Sequence, residues 1–293
     1  MIEIWKRSEF EKLARAHGLR YSKAYGQNFL TDKNTLEKIV KAADPAPEDH
    51  VIEIGPGLGA LTVLLAQAAG HVTAVEIDGR LIPALRKVTE GLSNIEIINE
   101  DFLKFQMRQK GAFPARQKGA CPVSPKIIGN LPYYITTPII ASLYEPGPDG
   151  VSPMPPRLAV FMIQKEVAER LISPPGKKTY GAISVLVQYY SDIELLFGVS
   201  REVFVPKPGV ESAVIRLRPK DISKDDPGTA ERMFRLVRAG FDMRRKTLRN
   251  SLAGAGYPEA ELLEALSKAG IDPGRRAETL SPRDFYNIAS FIK

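Results

Sequence analysis

Short apolar runs alternate with helix-like stretches through the first two thirds of the chain. In the helix-like stretches apolar residues recur every three or four positions, whereas the runs are apolar at nearly every position. These patterns predict helices and buried strands, respectively. The predicted strands are 51–54, 72–77, 95–99, 126–129, 158–163 and 183–190, and the predicted helices are 31–43, 59–69, 80–91, 134–144 and 164–173. Strands that are apolar on both faces and alternate with helices are typical of a parallel sheet covered on both sides, so we predict a doubly wound α/β domain.

The pattern changes beyond residue 190. Two further apolar runs, 193–198 and 213–217, follow after turns or short loops, which predicts that the sheet ends in antiparallel strands. Residues 219–229 contain no apolar run and are interpreted as a linker, and only helical patterns follow it, near 230–240, 243–253, 258–269 and 281–291. We therefore predict an α/β domain over residues 1–220 and a small all-α domain over residues 229–293. The Pro-rich segment 145–157 is expected to be a surface loop.

The composition is that of a globular protein. The 293 residues include 41 Lys and Arg against 34 Asp and Glu, a formal net charge of +7. The single cysteine, Cys121, excludes an intramolecular disulfide, and three histidines far apart in the sequence argue against a metal centre. The chain is charged from its third residue, and no apolar stretch approaches the about 18 residues of a membrane span. We expect a cytoplasmic protein with no resident metal and no membrane partner.

A glycine-rich turn follows the strand 51–54. Gly55, Gly57 and Gly59 separate this strand from the next helix, and backbone without side chains can approach a ligand closely at the positive end of a helix. Glu76 lies at the end of the following strand, where a carboxylate can accept hydrogen bonds from ribose hydroxyls. Gly55, Gly57 and Ala60 also satisfy the relaxed G-x-G-x-x-A pattern of NAD enzymes. The segment therefore indicates a nucleotide-type cofactor and leaves its identity open.

Polar and aromatic residues also close the next two strands. Asp101 and Phe102 follow one, and the segment from Asn130 to Tyr133, Asn-Leu-Pro-Tyr, follows the other. These strand ends share the carboxyl edge of a parallel sheet, where ligands bind. The amino group of a nucleobase is a poor nucleophile because its lone pair is delocalised into the ring. The Asn side-chain carbonyl and a neighbouring backbone carbonyl can accept its two N–H groups and favour a pyramidal nitrogen, and the Tyr ring offers a stacking face.

The ordered set of segments is more specific than any one of them. It consists of GQNFL (26–30), EIGPGLG (53–59), VEID (75–78), NEDF (99–102), GNLPY (129–133), QKEVAERL (164–171), VFVPKPGVES (203–212) and FDMRRKTLRNSL (241–252). This set resembles the small-subunit (16S) rRNA adenine N6,N6-dimethyltransferases over roughly residues 20–218 and into the helical domain. The resemblance implies a Rossmann-like methyltransferase sheet, S-adenosylmethionine as cofactor, and conversion of two adjacent adenosines near the 3′ end of small-subunit rRNA to N6,N6-dimethyladenosine. The basic stretch 107–125 departs from the family pattern.

The resemblance also implies roles for individual residues. For the cofactor site these are Gln27, Asn28, Leu30, Gly55, Gly57, Glu76, Ile77, Asp101, Phe102 and Asn130, with Glu76 on the ribose and Asp101 on the adenine amine. For the target adenosine they are Asn130, Leu131, Pro132, Tyr133 and Phe204. Asn130 and Leu131 would hold the N6 amine, and the base would lie between Tyr133 and Phe204. No general base is evident, so we expect the methylated nitrogen to lose its proton to water.

Two basic stretches favour an RNA partner. Residues 104–126 contain no acidic residue, and residues 231–250 contain seven basic residues against two acidic ones. We expect Arg244, Arg245, Lys246 and Arg249 to contact phosphates of rRNA in a pre-ribosomal or small ribosomal subunit. Nothing in the sequence indicates a coiled coil or an obligate interface, so we expect a monomer.

Several alternatives stay open. The large-subunit rRNA adenine methyltransferases that confer macrolide resistance share Asn-x-Pro-Tyr, although three segments, NLPYYITTP (130–138), VFVPKPGVES (203–212) and RRKTLRNSL (244–252), are more similar to the small-subunit enzymes. DNA adenine methyltransferases usually carry a proline where this chain has Leu131. A NAD-dependent dehydrogenase would leave the Asn-Leu-Pro-Tyr segment unexplained. A ribosome-assembly factor that acts mainly by binding is compatible with the same features.

Overall fold

The computed structural model describes residues 2–19, 26–109, 124–144 and 156–292. The chain divides into two compact units, Met1–Ala168 with Glu194–Pro219 and Glu169–Ile193 with Lys220–Lys293. Cys121 and most of the basic stretch 107–125 lie outside the described residues, as does most of the Pro-rich segment 145–157. The expectations for those two segments therefore stay predictions.

The first unit is built on a seven-stranded sheet. Its strands in chain order are β2 (His50–Ile54), β3 (His71–Glu76), β4 (Ile95–Asn99), β5 (Lys126–Asn130), β6 (Leu158–Gln164), β7 (Ser191–Val199) and β9 (Ser212–Pro219), and the short strands β1 (Phe29–Leu30) and β8 (Phe204–Val205) pair apart from it. Their order in the sheet is β4-β3-β2-β5-β6-β9-β7. The neighbours from β4 to β6 are parallel, and β9 is antiparallel to β6. The predicted fold class, a mostly parallel sheet with an antiparallel end, is confirmed.

Helices accompany the strands of the first unit. They are α1 (Arg7–Ala16), α2 (Lys33–Ala43), α3 (Ala60–Ala68), α4 (Ile82–Val88), α5 (Phe102–Gln109) and α6 (Thr136–Ser142), followed by α7 (Lys165–Ile172) at the change of unit. α2 begins where the sequence predicts, because the Asp32 carboxylate accepts the Thr35 N–H at 2.8 Å and caps the helix. Its apolar face, Leu36, Ile39 and Ala43, is buried. α1 and α5 were not predicted.

The second unit is helical in the residues described. It contains α8 (Ala182–Tyr190), α9 (Pro227–Asp242), α10 (Leu248–Gly254), α11 (Glu259–Lys268) and α12 (Pro282–Ser290). Their buried apolar residues form one core, which includes Val185, Met233, Leu252 and Phe285. The helical patterns beyond residue 229 are therefore seen as α9 to α12. No helix in the described ranges is both long enough and apolar enough to cross a bilayer.

The interpretation of 183–190 as a strand is wrong. These residues form α8, in which Ser184, Val185, Leu186, Val187 and Tyr189 are all buried. A helix buried on most of its sides has no polar face to reveal its period, so its sequence is also typical of a buried strand. The second unit consequently includes residues 169–193, which the sequence analysis assigned to the α/β domain.

Candidate active site

The carboxyl ends of β2, β3 and β5 open into one cavity of the first unit. Its lining includes almost every residue that the sequence analysis proposed for cofactor or target: Gln27, Asn28, Leu30, Gly55, Gly57, Glu76, Ile77, Asp101, Phe102, Asn130, Leu131, Pro132 and Tyr133. Phe204 does not line it. The parallel strands bring these residues together although they are far apart in sequence, because their last residues meet at one edge.

The glycine turn holds backbone where a side chain would not fit. Gly57 has a φ of +59° and lies against the ring of Phe29, and a Cβ at Gly57 would approach that ring to 2.9 Å. Gly55 has a φ of +65°, and a Cβ there would face the Asn130 carbonyl oxygen at 4.0 Å across the ends of two adjacent strands. Both positions require the left-handed backbone that glycine adopts without strain. The turn therefore leaves open the space between β2 and β5.

Glu76 is a buried carboxylate at the end of β3. It accepts the N–H of Gly57 at 3.0 Å and the N–H of Asp78 at 2.9 Å. Burial raises the pKa of Glu76 above its usual value, while these backbone N–H groups work in the opposite direction. The carboxylate lines the cavity, where ribose hydroxyls could donate to its oxygens, so the group fits the role that the resemblance implies.

The segment 26–30 is tied to the strand ends at three points. Gln27 Nε2 donates to Asp78 Oδ2 at 2.7 Å, the Asn28 carbonyl accepts Asn130 Nδ2 at 2.9 Å, and Leu30 pairs with Phe204. These contacts explain how residues outside the sheet reach its carboxyl edge. They also couple the cofactor side of the cavity to the Asn-Leu-Pro-Tyr segment.

The far side of the cavity carries the residues proposed for the cofactor's adenine. Asp101 Oδ1 accepts the N–H of Leu103 at 2.8 Å and thereby begins α5. Ile77 is exposed and Phe102 is buried, and both line the cavity. Since no described residue donates to Asp101 Oδ2, this oxygen can accept from an exocyclic amine, and the two apolar side chains fit the faces of a ring.

Two carbonyl oxygens are left without donors where the target amine is expected. The Asn130 amide nitrogen donates to the Asn28 carbonyl at 2.9 Å, and Oδ1 of Asn130 therefore points away from this bond. In the part of the chain that the structure describes, no group donates to Asn130 Oδ1 or to the Leu131 carbonyl. The next carbonyl, of Pro132, is already engaged by the Ile135 N–H at 3.2 Å and the Thr136 hydroxyl at 2.9 Å. The Asn-Leu-Pro-Tyr turn thus presents two acceptors and satisfies the third.

The aromatic arrangement differs from the expected pair of Tyr133 and Phe204. Phe204 is only 2% exposed, because it pairs with Leu30 and packs in the core of the first unit. It does not face the cavity, so its expected place on the base is not seen here. Tyr134 lines the cavity instead, with 54% of its surface exposed.

Glu53 in β2 was not among the residues predicted for the site. Glu53 lines the cavity, and its Oε2 is buried without a hydrogen-bond partner among the described residues. Burial raises the pKa of Glu53 to about 8, and the nearby Glu76 carboxylate adds to this rise against the effect of the Thr62 hydroxyl. An acidic residue within the otherwise apolar run 51–54 was the signal that could have identified it.

The four basic residues proposed for RNA lie in the second unit and fall into two classes. Arg244 donates from Nε to Glu278 at 2.7 Å and from Nη2 to the Tyr180 carbonyl at 2.9 Å, so it holds its own unit together. Arg249 forms an exposed ion pair with Glu259. Arg245 and Lys246 are exposed, and within the described ranges neither has an ion-pair partner. The two classes differ in their freedom to meet a phosphate.

Comparisons with known proteins identify the family. The ribosomal RNA adenine dimethylase family matches residues 18–293. The chain belongs to this family. Two relatives are named ribosomal RNA small subunit methyltransferase A. The one from Pelotomaculum thermopropionicum is 45% identical over 301 residues, covering 100% of this chain and 98% of that protein. The one from Clostridioides difficile is 40% identical over 283 residues, covering 96% of this chain and 94% of that protein.

Solved structures of related methyltransferases share the fold. The 23S rRNA methyltransferase ErmE has a TM-score of 0.66 and 29% identity, covering 90% of this chain and 99% of that one. A dimethyladenosine transferase from Plasmodium falciparum has a TM-score of 0.67 and 26% identity, covering 89% and 95%, respectively. This ribosomal RNA adenine dimethylase is therefore a methyltransferase that uses S-adenosylmethionine. The open glycine turn and the buried Glu76 fit that cofactor.

Proposed function

We propose that this enzyme methylates the N6 amines of two adjacent adenosines near the 3′ end of small-subunit rRNA and produces N6,N6-dimethyladenosine. The observation that carries the proposal is a pair of acceptors, Asn130 Oδ1 and the Leu131 carbonyl, to which no described residue donates a hydrogen bond. Both lie in the cavity that is also lined by the cofactor residues. Relatives at 40–45% identity over nearly their whole length carry a small-subunit name, which supports the choice of subunit.

S-adenosylmethionine, when bound, supplies an activated methyl group on a sulfonium. The two acceptors of the chain would take the two N–H groups of the exocyclic amine, and so direct the nitrogen lone pair out of the plane of the base. The hydrogen bond from Asn130 to Asn28 keeps the Asn130 amide in the orientation that this requires. Catalysis by these residues consists of orientation and of hydrogen bonds formed as charge develops on nitrogen.

Tyr133 acts in this scheme as a stacking face and not as a base. Burial raises the pKa of its phenol above the ordinary value of 10.0, so the hydroxyl stays protonated near neutral pH. No histidine is found among the described residues that line the cavity. The proton of the methylated nitrogen would then leave to water.

The large-subunit alternative is not separated from this proposal by the fold, since the 23S rRNA methyltransferase ErmE shares that fold with a TM-score of 0.66. Identity of 40–45% to small-subunit enzymes favours the proposal. We further propose that the enzyme acts in the cytoplasm as a monomer on pre-ribosomal particles, and the exposed Arg245 and Lys246 support the RNA partner.

The test supplies tritiated S-adenosylmethionine with small subunits that lack adenosine dimethylation, and with large subunits and duplex DNA in parallel. Nucleosides from the labelled RNA are then separated. We expect N6,N6-dimethyladenosine in the small subunit alone. Label in the large subunit would replace the proposal with the large-subunit alternative. Cofactor binding without any label, also on pre-ribosomal particles, would favour a factor that acts mainly by binding.

A further inference from the structure

The Tyr133 hydroxyl is held by a residue outside the Asn-Leu-Pro-Tyr segment. Its oxygen lies 2.8 Å from Oγ of Ser212. Ser212 is 1% exposed and is the first residue of β9. The contact joins two parts of the first unit that are far apart in the sequence, and the burial of Ser212 limits the competition of water for the bond.

Strand direction explains why Ser212 is in this place. β5 and β6 are parallel and end at the edge that carries the cavity, whereas β9 runs opposite to β6 and begins at that edge. Ser212 pairs with Gln164, the last residue of β6. The segment before it is fixed as well, since the Glu211 carbonyl accepts the Lys165 N–H at 3.0 Å. The antiparallel strand therefore delivers a fixed hydroxyl to the active edge of the sheet.

A tyrosine ring turns about two side-chain torsions, and its backbone restrains only one end of the side chain. A hydrogen bond at the hydroxyl holds the other end and so restrains the swing of the ring about the first torsion. Rotation about the second torsion leaves the oxygen in place, because the oxygen lies on that axis. Burial keeps the phenol protonated, which preserves a neutral hydroxyl pair in which either oxygen can donate. The position of the stacking face then depends on Ser212 as well as on the Tyr133 backbone.

We propose that Ser212 is a positioning residue that holds the ring of Tyr133 in the position at which the target base stacks. The inference rests on the proposed function for the identity of the base. Its structural part, that Ser212 restrains the ring, stands independently of any substrate.

The first experiment compares Ser212→Ala, Tyr133→Phe and the double variant in the methylation assay. Each single change should lower kcat about 3- to 10-fold, the effect of one lost hydrogen bond, and leave the Kd for S-adenosylmethionine unchanged within about twofold. The double variant should be no slower than either single one, because both remove the same bond. Thr89→Val is the control, since it removes a buried hydroxyl that donates to the Leu85 and Arg86 carbonyls of α4, outside the cavity.

The second experiment needs no RNA. Proteins labelled with ¹³C and ¹⁵N in tyrosine are compared by NMR, with Tyr133 assigned from the Tyr133→Phe spectrum, and the three-bond coupling between the backbone nitrogen and Cγ reports the first side-chain torsion. A coupling averaged over several rotamers in Ser212→Ala, against a single rotamer in the wild type, supports the restraint, whereas an unchanged coupling overturns it. Additive losses of kcat, or full activity in Ser212→Ala, overturn the catalytic part. A wild-type enzyme that labels no adenosine refutes the proposed function, and the coupling still decides whether Ser212 holds the ring.

Discussion

Two carboxyl groups at opposite ends of strand β2 are equally buried but differ in the hydrogen-bond donors around them. Asp49, just before the strand, and Glu53, within it, are each 2% exposed. The Asp49 carboxylate accepts hydrogen bonds from Lys126 Nζ at 2.7 Å, from Arg157 Nη1 at 2.9 Å and from the Ala46 N–H at 2.9 Å. Oε2 of Glu53 receives no donor from the described residues.

The difference appears in their pKa values. Burial alone would raise both. At Asp49 the hydrogen bonds from Lys126 and Ala46 and the positive charges outweigh burial and lower the pKa, whereas at Glu53 burial prevails and raises it to about 8. The amino end of the sheet thus holds polar groups that are satisfied within the protein, and the carboxyl end holds groups that are left for a ligand. Each of the following changes tests this division.

The largest effect is expected from Asn130→Ala at the carboxyl end. The variant loses one of the two amine acceptors, and we expect the methylation rate to fall about 10³-fold, equivalent to about 4 kcal/mol. Stability should change by no more than about 1 kcal/mol, because the side chain makes one hydrogen bond within the protein. Single-turnover methylation, thermal unfolding and cofactor titration measure the three quantities.

Asn94→Ala is the matched control for this change. Asn94 Nδ2 donates to the carbonyls of Ala66 and Ala69 at 2.8 and 3.0 Å and lies outside the cavity. It should lower stability and leave the rate unchanged below its unfolding temperature. Near-normal methylation by Asn130→Ala would remove Asn130 from the mechanism and with it the main support for the proposed function.

Lys126→Met tests the amino end, where we expect the opposite outcome. It leaves the Asp49 carboxylate buried with only the half-exposed Arg157 as a charged partner, and should lower the free energy of unfolding by about 3 kcal/mol. Cofactor affinity should not change, because Lys126 begins β5 and the cavity lies at its other end. Urea unfolding and cofactor titration give the two values.

Adding Asp49→Leu to Lys126→Met should recover part of the lost stability, since the unpaired charge is then removed. Equal stability of Lys126→Met and the wild type would show that Arg157 alone satisfies Asp49. Loss of cofactor binding in a folded Lys126→Met protein would contradict the division between the two ends of the sheet.

The success of the sequence predictions follows the same division. Residues at the carboxyl edge were predictable because local motifs identify them and the parallel-strand rule collects them at one edge. The strand predictions held where a run is short and its neighbours are glycines or helices. They failed for α8, whose buried faces erase the helical period.

Contacts between distant segments were the part that no local pattern reveals. Phe204 belongs to a specific motif, yet it pairs with Leu30 and its side chain is buried in the core of the first unit. Phe10 of the unpredicted helix α1 lines the cavity, and Ser212 meets Tyr133 across the sheet. Each depends on which strand neighbours which, and the sequence motifs do not encode that order.

Glu53→Gln should change how stability depends on pH. The carboxyl has a pKa of about 8 in the folded protein and about 4.5 in the unfolded chain, so the unfolded chain loses its proton first as the pH rises. The stability contributed by the protonated form is fully present below pH 4.5 and is lost as the pH rises to 8. Between about pH 6 and 8.5, the unfolding free energy of the wild type should fall by about 2.5 kcal/mol more than that of the variant.

Urea unfolding at several pH values measures this difference. Glu37→Gln is the control, because Glu37 is exposed on α2 beside Lys33 and should leave the pH profile of the wild type intact. Parallel profiles for the wild type and Glu53→Gln would show that Glu53 is ionised in the folded protein at neutral pH, and therefore that an unseen donor satisfies it as fully as Asp49 is satisfied.

The smallest effect concerns the second unit, where the same distinction divides the basic segment. Arg245 and Lys246 are exposed and have no ion-pair partner among the described residues, so they can meet phosphates without breaking a contact. Replacing both with Ala should weaken binding to small-subunit RNA about 3- to 10-fold at 150 mM salt, and should reduce the slope of log affinity against log salt by about 1–2. Filter binding over a salt series measures both.

The paired residues should behave differently. Arg244→Ala breaks the contacts with Glu278 and the Tyr180 carbonyl, so it should lower stability more than RNA affinity. Arg249→Ala should weaken RNA binding less than either Arg245→Ala or Lys246→Ala, because Arg249 gives up the Glu259 pair to reach a phosphate. An equal loss for Arg249→Ala would mean that the pair opens at little cost when RNA binds. In that case exposure, and not freedom from a partner, would decide which arginines of this segment contact RNA.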